Sequence, residues 1–328
     1  MATARTSSRQ EPFFPIPKAA ISDQSVTGFD LYVRLADRFV LYKSGRVPFD
    51  RDRLLRHNID TLYVSTADRA AFEGYLLRQV ETIMQDAAVP PAEKADVLYH
   101  LATTRLERLF QEPEDPETAR QVKAVTAVTV DQLVHHRSVL ASLIRLVSHD
   151  YRTYSHSVNV CAYAVALGAR LRIFSEAELH TLGLAAMLHD IGKARLDEEI
   201  LQKEGGLTPV EWAIMRRHPE TGVELLRELG LLEEYGLRAV LEHHEAQDGS
   251  GYPRGLRGEE ISLMGRILHI ADGYDALTSH RPYRPAMTAF RALSTMRYRT
   301  PGAYDEDLLA EFVLLLGGVD AGQPARTG

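Results

Sequence analysis

Residues 241–256 read LEHHEAQDGSGYPRGL, so two adjacent histidines, His243 and His244, stand just ahead of a turn that closes on Gly251-Tyr252-Pro253. Imidazole binds metals and carries protons near neutral pH. Four other stretches hold residues of the same kind. They are His156 in HDYRTYSHSVNV, His189-Asp190 in LAAMLHDIGK, His218 in MRRHPETG, and Asp272 with Asp275 in ILHIADGYDAL. Each alone is ordinary. A lone histidine on an apolar helix face is more often a hydrogen-bonded core residue than a ligand, and His269 and His280 fit that description or the surface. GSGYP alone is a turn signal, because Gly supplies unusual dihedrals and Pro fixes φ. Asp190 and Asp272 are less ordinary. Both interrupt apolar helical runs, where a charged carboxylate is costly unless paired or metal-bound. Five such stretches in one order point to a metal centre.

The chain has room for the elements that would position these residues. At 328 residues it is long enough for two or three units with cores of their own. Its 45% hydrophobic and 25% charged residues are those of a globular protein. A formal net charge of -7 argues against a broad nucleic-acid face, which would need clustered Lys and Arg, so no DNA or RNA duplex is expected as a partner. Cys161 is the single cysteine and excludes an intrachain disulfide; in VNVCAYAVAL it reads as a small core residue. No stretch approaches the ~20 apolar residues of a spanning helix. MATARTSSRQEPFFP lacks an apolar leader, which makes the cytoplasm the expected location.

Residues 1–25 read as a mobile tail and 26–90 as a small α/β unit of regulatory or interaction type. FDLYVRL alternates as a half-buried strand, RFVLYKSG and TLYVS are further strands, and Asp50 is placed to cap a helix. Residues 91–149 are helical throughout, with the prolines of EPEDPETA restarting the helix. The following run keeps helical spacing for roughly thirty residues, and the sequence alone leaves open whether it links domains or forms a dimer interface. Within it, His135 and His136 read as solvated helix residues without acidic or histidine partners. Residues 150–318 are again helix-rich, with turn clusters at 203–209 and 247–258, and 319–328 form a flexible tail.

From Asp150 to Gly317 the ordered set resembles the HD-GYP branch of the HD-domain metal-dependent phosphohydrolases. The likeness rests on YSHSVNV, LHDIGK, ILQKEGGLTPVEW, HPETG, HHEAQDGSGYPRGL and IADGYDALTSHRPYR. It implies a mainly α chain, with a C-terminal all-helical HD-type bundle behind the small N-terminal α/β domain. It also implies His156, His189, Asp190, His218, His243, His244 and Asp272 as metal ligands. They would hold two divalent cations, iron or manganese, with zinc the lesser match for imidazole and carboxylate donors. Asp190 could bridge ions about 3.5–4 Å apart, and a hydroxide between them could attack phosphorus in line.

The same resemblance implies catalytic parts for Asp190, Lys193 and Asp275, and substrate contacts from Lys193, Tyr252, Arg281 and Arg284. The loop after His244 would fold back over the site. Some relatives carry a Glu four residues before the first histidine that helps hold a third metal; here that position is Arg152, and a guanidinium cannot ligate a cation. The implied activity is opening of cyclic di-GMP to linear pGpG, with a second cut to GMP open. The alternatives are a non-hydrolytic module that senses a cyclic dinucleotide or a partner protein, and a phosphodiesterase for another cyclic dinucleotide. Residues 1–149 are where a second copy or a signalling partner would bind.

Overall fold

The computed structural model describes residues 12–57, 59, 61–146, 153–201, 203, 205–280 and 285–320. The chain divides into two compact units, Met1–Leu101 and Ala102–Gly328. The first is built on a four-stranded antiparallel sheet of β1 (Phe13–Ile16), β2 (Leu31–Leu35), β3 (Arg38–Lys43) and β4 (Leu62–Ser65), in the order β1-β4-β2-β3. Helix α1 (Arg51–Arg56) starts where expected, with the Arg53 amide donating to Asp50 Oδ1 at 3.0 Å. Helix α2 (Arg69–Gln85) buries Phe72, Leu76 and Val80, and the Phe72 ring meets Phe14 and Phe29 edge-on, each at 5.8 Å.

Two expectations for this half need correction. Residues 13–16 are not mobile tail: Phe13 pairs with Ser65 and Ile16 with Leu62, and the alternation of FFPI turns Phe14 and Ile16 onto the buried face. Residues 19–21 are buried as well. The Ser- and Arg-rich composition that suggested a tail belongs to residues 1–11, outside those described. The alternation of FDLYVRL buries Phe29 and, in β2, Leu31, but fades toward the hairpin end, where Leu35 is exposed.

Helix α3 (Pro91–Gln111) runs across the division at Leu101, and α4 (Pro116–His135) opens on Asp115, whose carboxylate accepts from the Glu117 and Thr118 amides. The thirty-residue run is two helices, not one. His136, at φ −128° and ψ 86°, breaks it, and α5 (Arg137–Leu146) follows. Nor is α4 a linker, because its apolar stripe of Val122, Val125, Val130 and Leu133 is buried and packs within the second unit.

That unit continues with α6 (Thr153–Leu171), α7 (Glu176–Leu188), α8 (Glu198–Leu201), α9 (Pro209–Met215), α10 (His218–Glu228), α11 (Glu234–Glu242), α12 (Leu263–Thr278), α13 (Ala289–Tyr298) and α14 (Glu306–Asp320). From Ser155 to Gly168 every residue of α6 is buried, the mark of a helix apolar all round at the centre of a bundle. It packs against α4, α7, α12 and α14. Cys161 lies in this core, where burial pushes its thiol up to about 12. The turn clusters expected near 203–209 and 247–258 join α8 to α9 and α11 to α12. Among the described residues no helix is long and apolar enough to cross a membrane.

Candidate metal centre

The seven candidate ligands come from five helices that meet around one point. His156 lies on α6 and Asp272 on α12, while His189, His218 and His243 stand at helix ends, each one directly beside a last or first turn. That placement has a common consequence. The Nδ1–H of His189 donates to the Ala186 carbonyl at 2.7 Å, that of His218 to Met215 at 2.8 Å, and that of His243 to Val240 at 2.6 Å. A carbonyl can only accept, so Nδ1 carries the proton in each ring, and a neutral imidazole then presents Nε2 as a bare lone pair. Three rings are thereby held by their own preceding turn with Nε2 presented as the lone pair.

Around them the carboxylate of Asp190 divides its two oxygens. Oδ1 lies 3.2 Å from His218 Nε2 and 4.0 Å from His243 Nε2. Oδ2 lies 3.5 Å from His189 Nε2 and 3.8 Å from His156 Nε2. Asp272 closes both sides, with Oδ1 at 3.2 Å from His156 Nε2 and Oδ2 at 3.5 Å from His244 Nδ1. Two donor groups result: Asp190, His218, His243 and His244, and next to it His156, His189 and Asp272.

These donors fit a divalent cation on internal grounds. The Nε2 atoms of His218 and His243 face each other at 3.2 Å, and neither has a proton to share. His189 Nε2 and Asp190 Oδ1 are buried without a hydrogen-bond partner. Facing lone pairs and orphaned acceptors are costly in a buried site unless a cation sits among them. Burial holds the pKa of His189, His243 and His244 below the usual imidazole range, with the neighbouring His244 reinforcing the effect on His243. Burial alone would raise Asp190, but Lys193, His189 and His218 hold its carboxyl well below the ordinary range. His189, His243 and His244 are thus preset as neutral imidazoles and Asp190 as an ionised carboxylate, the forms that bind metals. The centre reaches solvent at His244 and Asp272, whose side chains are 22% and 14% exposed.

Lys193, three residues after Asp190, brings Nζ to 2.6 Å from Asp190 Oδ2. Asp275, expected to handle a proton or to stand behind a ligand, is fully enclosed. Its Oδ2 lies 2.7 Å from His156 Nδ1 and accepts from Ser279 Oγ at 3.1 Å, while Oδ1 accepts from Asn159 Nδ2 at 2.9 Å. With both oxygens engaged it orients His156 and has no free edge for a substrate, which makes it a positioning residue. Arg152, Arg281 and Arg284 lie outside the described residues.

The loop after His244 does fold back. Tyr252 N donates to the His244 carbonyl at 3.1 Å, and the Tyr252 ring lies over the His244 ring, centroids 4.7 Å apart. Arg216 reaches the other surroundings of that ring at 5.3 Å. A Cβ on Gly251 would run into the Ala246 amide nitrogen and would stand 2.5 Å from the His244 carbonyl oxygen, so only glycine permits this return. Sequence reasoning missed the two acids that hold the loop. Glu245, buried, accepts from the Arg254 and Leu256 amides at 2.6 and 3.0 Å; Glu242, also buried, accepts from the Ser262 amide and from Arg238. Their signal was present in LEHHEAQDGSGYP: two acids flank the histidines at positions where an all-solvent face is not available. His269 is half-buried and donates from Nδ1 to the His243 carbonyl, whereas His280 is exposed.

Comparison with known proteins agrees with this geometry. The family model of the HD domain matches residues 120–308, more than half of the chain. A protein of Pseudomonas aeruginosa named cyclic di-GMP phosphodiesterase PA4108 is 38% identical over 64% of this chain and 50% of its own. A Vibrio cholerae protein named 3'3'-cGAMP-specific phosphodiesterase 3 is 40% identical over 48% of this chain and 34% of its own. The chain therefore spans half or less of the length of these curated relatives. Among solved structures, Bd1817, an HDG"Y"P protein from Bdellovibrio bacteriovorus, aligns over 93% of this chain and 100% of its own with a TM-score of 0.66 and 20% identity, a likeness of fold. With the doublet His189-Asp190 inside the matched region, and Gly251-Tyr252-Pro253 closing over it as a second motif, the chain belongs to the HD-domain family.

Proposed function

We propose that this chain is a cytoplasmic, metal-dependent phosphodiesterase that opens cyclic di-GMP to linear pGpG, with a further cut to GMP within its reach. One observation carries the reading: a single buried carboxylate, Asp190, turns its two oxygens toward two separate sets of histidines. His156, His189 and Asp272 would hold one cation, His218, His243 and His244 the other, and Asp190 both. Imidazole and carboxylate donors without thiolate suit iron or manganese. Bound there, divalent cations supply an activated water at neutral pH and neutralise charge on the phosphoryl group.

The chain's own residues do the rest. The backbone carbonyls behind His189, His218 and His243 and the carboxylate of Asp275 behind His156 fix ring direction. Lys193 would hold a phosphoryl oxygen beside Asp190. Burial, with Asp272 and Asp190 nearby, raises the Tyr252 phenol well above its usual range, so Tyr252 keeps its proton and would donate to the substrate at the mouth. Arg281 and Arg284 are assigned nucleotide contacts from the sequence alone.

Protein loaded anaerobically with Fe(II) or Mn(II) and incubated with cyclic di-GMP tests the reading by chromatography, with His189→Ala in parallel. Appearance of pGpG or GMP in the wild type alone is expected. Intact substrate over a verified metal centre would overturn it. The name of the Vibrio relative makes 3'3'-cGAMP the competing substrate, and faster turnover of that dinucleotide would reassign the specificity.

A further inference from the structure

A second set of ligand-type residues lies on the surface of the bundle, away from the buried centre. Helix α4 carries Asp131 and His135, and α7 carries Glu176 and His180. Each pair is spaced four residues apart, so each shares one helix face, and the two helices pack against each other. The pairs meet crosswise. His180 Nε2 lies 2.8 Å from Asp131 Oδ1, and His135 Nε2 lies 3.5 Å from Glu176 Oε1. Asp131, Glu176 and His180 bring donor atoms within 4.8 Å of one another. The sequence had assigned His135 to solvent without an acidic partner; the partner stands 41 residues away, on another helix.

We infer that Asp131, His135, Glu176 and His180 form a peripheral site for a zinc-class divalent cation that staples α4 to α7. Two imidazoles and two carboxylates give a four-donor set with charge to match a dication, and four is the number zinc takes in structural sites. Bonds of about 2.0–2.1 Å in a tetrahedron put donors about 3.4 Å apart, between the two crosswise separations. The side chains are between 33% and 64% exposed, so a cation can reach the three grouped donors, and His135, which lies outside that group, must turn inward to supply the fourth. Four donors in a tetrahedron are the habit of zinc, whereas manganese takes octahedral, oxygen-rich sites. The position of the site adds a consequence: α7 runs from Glu176 and His180 to His189 at its C-terminal end, so the staple braces the helix that carries a buried ligand.

The test uses the full chain loaded with Mn(II), dialysed against rising free zinc, beside a His135→Ala/His180→Ala double variant. Zinc that exchanges into the buried centre is common to both proteins and cancels in the difference. Wild type should retain one zinc per chain more than the double variant by plasma mass spectrometry. Its unfolding midpoint should also rise further with zinc, since a ligand bound only to the native state stabilises it. Glu176→Gln, which keeps both histidines, should lose that extra zinc as well and guards against a folding defect in the double variant. Equal zinc content and equal midpoint shifts would overturn the inference and leave two surface ion pairs, each of little worth.

Discussion

Replacing Asp275 separates the residue that orients a ligand from the ligands themselves. Three donors converge on its carboxylate: His156 Nδ1 at 2.7 Å, Asn159 Nδ2 at 2.9 Å and Ser279 Oγ at 3.1 Å. In Asp275→Asn the shape survives. The amide oxygen can keep His156 and Ser279, and a half-turn of the Asn159 amide would offer the new NH2 an acceptor. What is lost is charge, and a hydrogen bond to a charged group contributes about 1.5–3 kcal/mol against about 0.5–1.5 for a neutral one. The difference, about 1–1.5 kcal/mol, makes the His156 ring a weaker ligand, and metal affinity should fall about tenfold, the low end for such supporting groups. Asp275→Ala leaves all three donors unmet. Metal affinity should then fall about 100-fold, equal to about 2.7 kcal/mol, and the fold should lose a further about 1–3 kcal/mol for each donor left buried without a partner. Titration of the metal-stripped proteins with Mn(II), followed by circular dichroism to verify folding, measures both. A folded Asp275→Ala that binds manganese as tightly as wild type would refute the reasoning.

Further outcomes follow from the loop and the ring environments. Glu245→Gln keeps one acceptor and turns an NH2 toward the other backbone amide, so hydrogen exchange at Arg254 and Leu256 should accelerate while the metal content holds. Gly251→Ala should lower stability by about 1–3 kcal/mol, the usual range for overpacking, and its melting temperature should fall; an unchanged melt would show that the return of the loop is not so tight. In metal-stripped protein, burial depresses the pKa of His189, His243 and His244. The unfolded chain then binds more protons than the native one at mildly acid pH. Stability should be full above the ordinary imidazole value near 6.5 and should decline as pH falls below it, read by urea unfolding at several pH values. A flat profile from neutral to pH 5 would contradict that assignment.

The candidate ligands were legible as a set because they are metal-binding types, because Asp190 and Asp272 interrupt apolar runs, and because five such stretches kept one order. Roles were harder to read than identities. Asp272 and Asp275 are the same residue type three positions apart on α12, and only the packing of α6 against that helix decides which carboxylate faces the centre and which stands behind His156. Glu242 and Glu245 were passed over, since their backbone-amide partners are brought near by the loop's own return. Local propensity also concealed the break at His136, where helical periodicity runs on through a residue that is not helical. The burial of β1 followed from pairing with a strand some fifty residues later, which composition at the N-terminus could not register.

The central claim is that one carboxylate joins two metal sites. Electron paramagnetic resonance of the Mn(II)-loaded chain tests it directly, since coupled ions give a spectrum distinct from isolated ones. The account predicts a spin-coupled pair in wild type that collapses to a single or isolated ion in Asp190→Asn, together with loss of dinucleotide hydrolysis. An uncoupled spectrum in the wild type, or a coupled pair that survives Asp190→Asn, would contradict it.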